Sequence, residues 1–117
     1  MTHPSRLGGI SIDCRTGDLA GAAGFWAGAL GRQAAPGGER YVRLGRVGGL
    51  TVEVQAVDHA PRVHLDIEAA DVAAEVARLE GLGAVRLRAV EDWVVMEAPT
   101  GHRFCVVPAE PEGEGRA

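Results

Sequence analysis

The stretch that decides the fold is RVHLDIEAADVAAEVARLEGLG, residues 62–83, because the chain has already said it once, as GISIDCRTGDLAGAAGFWAGALG at residues 9–31. Laid over each other, Ile12-Asp13-Cys14 falls on Leu65-Asp66-Ile67 and Asp18-Leu19 on Asp71-Val72. After one deletion Leu30-Gly31 falls on Leu82-Gly83. An internal repeat fixes architecture before any single element does. The copies differ at one chemically important place, where His64 in the second stands against Ser11 in the first.

Each copy opens as a half-buried strand. In the first, Ile10, Ile12 and Cys14 alternate with Ser11 and Asp13; in the second, Val63, Leu65 and Ile67 alternate with His64, Asp66 and Glu68. That is a period of two. A helix follows in both, started by an aspartate suited to N-capping, Asp18 or Asp71. Its apolar stripe is Leu19, Ala23, Trp26 and Leu30 in the first copy and Val72, Val76, Leu79 and Leu82 in the second, with Gly31 and Gly83 as stops. Three strand-like pieces come next: near 32–36, 39–45 and 50–57, then near 84–89, 92–97 and 103–107. The chain therefore reads as two βαβββ modules, 7–57 and 62–107, in one α+β domain over 1–108. The tail 109–117, PAEPEGEGRA from Pro108 onward, is Pro, Gly and Glu without periodicity and is expected to be disordered.

A single helix covers one face of each sheet. The apolar face of the first strand belongs under its helix, and the mixed face, with Ser11, Asp13, His64 and Asp66, turns elsewhere. By the same rule Val52 and Val54 face the helix while Thr51, Glu53 and Gln55 do not; Phe104 and Val106 face it while Cys105 does not. If the mixed faces of two mixed sheets enclose a cavity, the equivalent positions Ser11, Glu53, His64 and Cys105 converge there.

Composition narrows the chemistry. Of 117 residues 46% are hydrophobic and only five are aromatic, so the core is aliphatic. A net charge of −4 argues against nucleic acid or an anionic membrane as partner. All 12 basic residues are arginine, which excludes Schiff-base chemistry on lysine. No apolar run is long enough to span a membrane, and the start MTHPSRLGG lacks the apolar centre of an export signal. Two cysteines without such a signal suggest a reducing cytoplasm and free thiols.

The pieces GISIDC…LAGAAGFWAGALG, RVHLDI…DVAAEVARLEGLGA and WVVMEAPTGHRFCVV resemble the vicinal oxygen chelate superfamily, which has the glyoxalase, bleomycin-resistance and extradiol-dioxygenase fold. The resemblance covers residues ~7–107 and is nearest to the small glyoxalase-like domain proteins. It implies a divalent-metal position at the first and last strand of each module, usually filled by His or Glu. Here those positions carry Ser11, Glu53, His64 and Cys105. Serine is a poor ligand, and cysteine suits zinc better than a hard metal. The expectation is thus no cofactor, with Glu53, His64 and Cys105 as the metal set if a divalent ion is bound. The resemblance also implies a homodimer.

The residues then suggest a pocket for a small apolar or aromatic metabolite. His64 and Glu53 are its candidate acid–base residues, and Ser11, Asp13, Gln55, Trp93 and Cys105 its candidate ligand contacts. His64 has a side chain that titrates near neutrality and suits proton transfer. Glu53 needs a partner or solvent, and Arg43, Arg86 and Arg88 are the candidate cations. Cys105, in the apolar run RFCVV, reads first as an inert small core hydrophobe. Cys14 and Trp26 are assigned to the core, and His3, His59 and His102 receive no role. Arg86 and Arg88 are expected to face solvent; turned inward, they would favour a carboxylate ligand. Two other classes remain open: a divalent-metal-dependent lyase or dioxygenase, and an interaction module with a vestigial cavity; as an enzyme of the glyoxalase-like type it would be a lyase or isomerase.

Overall fold

The computed structural model describes residues 4–35 and 38–109, so most of the tail lies outside the described residues. Gly9–Val63 form one compact unit, and His64 onward, joined by residues 4–8, forms another. The architecture is α+β with mixed strand pairing. No helix among the described residues is long and apolar enough to cross a membrane.

In the first unit the elements are β1 (Ser5–Arg15, whose first four residues belong to the other unit), α1 (Leu19–Leu30), β2 (Tyr41–Val47) and β3 (Leu50–Val57). The strands stand in the order β2-β3-β1. β1 and β3 run parallel, with Ser11 opposite Glu53 and Asp13 opposite Gln55. β2 and β3 are antiparallel across Gly48-Gly49, both at positive φ, the pairing of torsions that a tight hairpin needs. Asp18 caps α1 by accepting from the Gly21 amide at 3.0 Å, and Gly31 closes it at φ 65°. The core is Leu44, Val52 and Val54, with Cys14, Leu19, Ala22, Trp26, Ala27 and Val42 packed on it. Leu30, placed on the apolar stripe by its spacing, is 46% exposed.

The expected strand over 32–36 is a correction. Among the described residues of that stretch, 32–35, one bridge forms, between Ala35 and Arg43, and Pro36 lies outside them. Part of the β2 edge is taken by a side chain instead: Arg32 donates from Nε to the Leu44 carbonyl at 3.1 Å and from Nη2 to the Arg46 carbonyl at 2.8 Å. The guanidinium passes so close to Gly45, at φ 85°, that a Cβ there would lie 2.8 Å from Arg32 Nη2.

The second unit holds β4 (Arg62–Ala69), α2 (Val72–Gly81), β5 (Val85–Val90), β6 (Trp93–Glu97) and β7 (Arg103–Pro108), with strand order β4-β7-β6-β5. β4 and β7 are parallel; β7, β6 and β5 are antiparallel neighbours. Asp71 caps α2 through the Ala74 amide at 3.0 Å. Val76 and Leu79 pack on Ala69, Val94, Met96, Phe104 and Val106. Leu82 does not join them: the helix ends at Gly81, Gly83 turns the chain at φ 107°, and Leu82 is left 67% exposed. Glu75 is instead fully buried on α2, held by two hydrogen bonds from Arg78 at 2.8 and 2.7 Å. Residues 4–8 are fastened to this unit by the Ala70 amide donating to the Pro4 carbonyl at 3.0 Å and by Arg6 against buried Glu68 at 3.3 Å.

Candidate functional site

Alternation along β4 and β7 sorts the side chains of the second unit. Ile67, Ala69, Phe104 and Val106 go to the α2 side. Asp66 and Cys105 are register partners on the parallel strands, and Cys105 in turn faces Val95 on β6. His64 and Asp66, two residues apart on one strand, share that face. His64 Nε2 lies 3.1 Å from Asp66 Oδ1, with the two side chains 10% and 16% exposed. Cys105 is buried beside them, and the donor atoms of His64, Asp66 and Cys105 all lie within 4.8 Å of one another. Trp93, half-buried and two residues before Val95, is on the same face.

A carboxylate accepting from Nε2 keeps the proton on that nitrogen and sets the plane of the ring. The arrangement can therefore orient an imidazole toward a ligand. It also presents nitrogen, oxygen and sulfur donors together, and that set fits a metal. To take one, His64 Nε2 would first have to give up the proton it shares with Asp66, and thiolate with imidazole would then favour zinc over magnesium, calcium or manganese. The donor group differs from the set expected of the sequence. Asp66 is its third member, while Glu53 belongs to the other unit.

The first unit carries a separate polar face. Ser11 donates from Oγ to Asp13 Oδ1 at 3.2 Å, and both residues are buried. His59, with no role in the sequence reading, approaches Asp13 Oδ2 with Nε2 at 3.9 Å while its Nδ1 meets the Ala60 carbonyl at 2.8 Å. Glu53 stands between Ser11 and Arg43 across the two strand pairings, so Arg43 is its neighbouring cation. Gln55 holds the equivalent place beside Asp13 and Tyr41. Arg86 and Arg88 are exposed on β5, the edge strand, whose register slips between them; Val85 and Leu87 are exposed there too.

The remaining candidates have structural places. Cys14 packs against the α1 core, where burial pushes its thiol above the ordinary value; a hydrogen bond with Trp26 opposes this and the Asp13 charge adds to it. His102 pairs with Thr100 at 2.8 Å in the turn before β7, and His3 lies outside the described residues. The signal for Asp66 was present in the period-two pattern of β4. His59 had none, since a loop residue meets Asp13 only after β3 has paired with β1.

The profile of the glyoxalase-like domain family matches residues 9–107. No curated protein matches the chain. Among solved structures, an NAD-dependent benzaldehyde dehydrogenase from Legionella pneumophila aligns with TM-score 0.66 at 11% identity, over 86% of this chain and 99% of that one. A hypothetical protein from Bacillus halodurans C-125 aligns with TM-score 0.67 at 9% identity, over 95% and 99%. A Streptomyces coelicolor methylmalonyl-CoA epimerase in complex with 2-nitronate-propionyl-CoA aligns with TM-score 0.59 at 16% identity, over 91% and 98%. At these identities the likeness is one of fold.

Proposed function

This chain belongs to the glyoxalase-like domain family, within the vicinal oxygen chelate superfamily, and on that footing we propose that it binds a small, mainly apolar or aromatic metabolite against the His64–Asp66 pair. The observation that carries the reading is the 3.1 Å contact between His64 Nε2 and Asp66 Oδ1 on a strand face that also bears Val95 and Trp93. A few oriented polar groups among aliphatic and aromatic side chains are the usual make-up of a ligand site. The fold's relatives include an epimerase that holds a nitronate-bearing CoA ligand, so small organic ligands are within the fold's reach.

In this reading Asp66 positions the imidazole and His64 meets the ligand. If a reaction follows, His64 is the group able to take or give the proton, because imidazole has both forms within reach near neutral pH. Trp93 offers a ring for stacking on a flat ligand. The test is a panel of aromatic and acidic metabolites screened by thermal shift on the wild type and on His64→Ala. Ligands should raise the melting temperature of the wild type, and the rise should disappear in the variant. Shifts that survive the substitution unchanged would refute the role of His64.

A further inference from the structure

We propose that the polar face of the first unit holds a subsite for a carboxylate group, with the Arg46 guanidinium as its principal contact and the Thr51 hydroxyl and Arg43 beside it. All of these residues lie within Gly9–Val63. The subsite therefore uses no residue of the His64–Asp66 reading and stands or falls apart from it.

The β2–β3 hairpin places the cations. Alternation alone sends Arg43 and Arg46 to opposite faces of β2, because an odd number of steps separates them. The register with β3 shifts between the two: Arg43 stands opposite Glu53, and Arg46 opposite Thr51. Thr51 and Glu53 share one face of β3, while Val52 and Val54 pack in the α1 core. One extra residue in β2 thus returns Arg46 to the face of Arg43. Re-aiming a side chain is what a bulge does. Gly45, at φ 85°, supplies the torsion. Arg32 holds the bulge from the strand edge, donating to the carbonyls of Leu44 and Arg46 on either side of Gly45. Leu44 is fully buried, so the bulge cannot slide along β2 without uncovering it.

Arg46 is then a cation without an anion. Its Nη2 donates to the Gly49 carbonyl at 2.8 Å, which fixes the guanidinium beside the hairpin turn. Its Nε is buried and, among the described residues, meets no acceptor. None of the ion pairs among the described residues involves it. A charged donor shielded from water needs an acceptor, and an oxygen of an anion at Nε supplies one. The neighbours set the class of anion. Glu53 stands against Arg43 and offsets it, which leaves Arg46 for the ligand. Asp13 shares the face of Ser11, next to Glu53, and its charge weighs against a doubly charged phosphate. A single carboxylate meets less repulsion, and its two oxygens match the planar fork of arginine. Thr51, across from Arg46, adds a hydroxyl donor.

The experiment is an NMR titration of the full chain, read at the arginine Nε–H signals, with the Arg46 signal assigned by its loss in Arg46→Lys. The probes are benzoate, uncharged benzamide and inorganic phosphate, at constant ionic strength. Benzoate should move the Arg46 signal to saturation, benzamide should leave it in place, and phosphate should bind several-fold more weakly than benzoate. In Arg46→Gln the saturable benzoate shifts of the Gly49 and Thr51 amides should be lost. Arg15→Gln, at the exposed end of β1, should keep them. The amide spectra show whether each variant folds, and the wild-type signals carry the test without any variant. No saturable shift in the wild type, an equal response to benzamide, or benzoate shifts that survive Arg46→Gln would overturn the proposal. Phosphate binding more tightly than benzoate would overturn it as a carboxylate site.

Discussion

Asp66 on β4 and Cys105 on β7 are register partners in a parallel pair, so a carboxylate and a thiol rise side by side from neighbouring strands. His64 bends over the same face and meets the carboxylate at 3.1 Å. The neighbours of these residues in sequence, Ile67, Phe104 and Val106, pack with the α2 core. One strand pairing thus serves both core and site.

Asp66→Asn keeps the size of the side chain and removes its charge. It should leave the fold intact and reduce the ligand-induced rise in melting temperature, because the His64 imidazole loses the charged partner that orients it. Glu80→Gln, at an exposed position of α2, should leave binding unchanged. Thermal shift of both variants with the metabolite panel checks the difference.

Gly8 lies under the Glu68 side chain, and a Cβ at position 8 would run into Glu68 Cγ. Glu68 is buried and paired with Arg6, so it cannot swing away without breaking that contact. Gly8→Ala should cost about 1–3 kcal/mol, the range for forced overpacking. Combining it with Glu68→Ala should recover part of that cost, a coupling that a double-mutant cycle in urea reads directly.

Arg32 stands in for a missing strand by donating to the carbonyls of Leu44 and Arg46. Arg32→Ala leaves both acceptors on β2 without this donor. The expected loss is about 1–3 kcal/mol, seen as a lower denaturation midpoint with an unchanged slope. Arg32→Lys should not restore it, since an ammonium cannot reproduce the two-pronged reach of a guanidinium.

Cys14 supplies a pH test. Its thiol is held above the ordinary value of 9.0, chiefly by burial. The folded state therefore keeps the proton where the unfolded chain loses it. This contribution to stability is fully present below pH 9.0 and is lost as pH rises through the raised folded value. Wild type should lose more stability than Cys14→Ala between pH 8 and pH 10 (roughly one unit either side of the ordinary thiol range), measured by denaturant midpoints. Equal losses would refute the burial of the thiol. In the folded protein Cys14 should also alkylate more slowly than in the denatured chain.

Much of this protein follows from local rules that a sequence carries openly. The period of two along 62–69 already placed His64 and Asp66 on one face, because successive side chains of a strand point to opposite sides. Asp18, Asp71, Gly31 and Gly83 marked the helix ends, because each acts on backbone groups within a few residues of itself. The repeat predicted the order of elements except over 32–36, where a bridge at Ala35 stands in place of the expected strand, and the family profile over residues 9–107 agrees with the membership that the repeated motifs suggested. The apolar stripes were right where the helix turns onto its sheet and failed at Leu30 and Leu82, where each helix ends and a periodic rule no longer applies.

Tertiary structure alone decided the rest. Nothing local relates Asp66 to Cys105, separated by a helix and two strands, until the parallel register of β4 and β7 is set. The same holds for His59 against Asp13, Arg32 on the β2 edge and Glu68 over Gly8. Periodicity encodes which face a residue takes. It does not encode which residue will stand across from it, because register is settled by the packing of whole elements, and that sum has no signature in any short window of the chain.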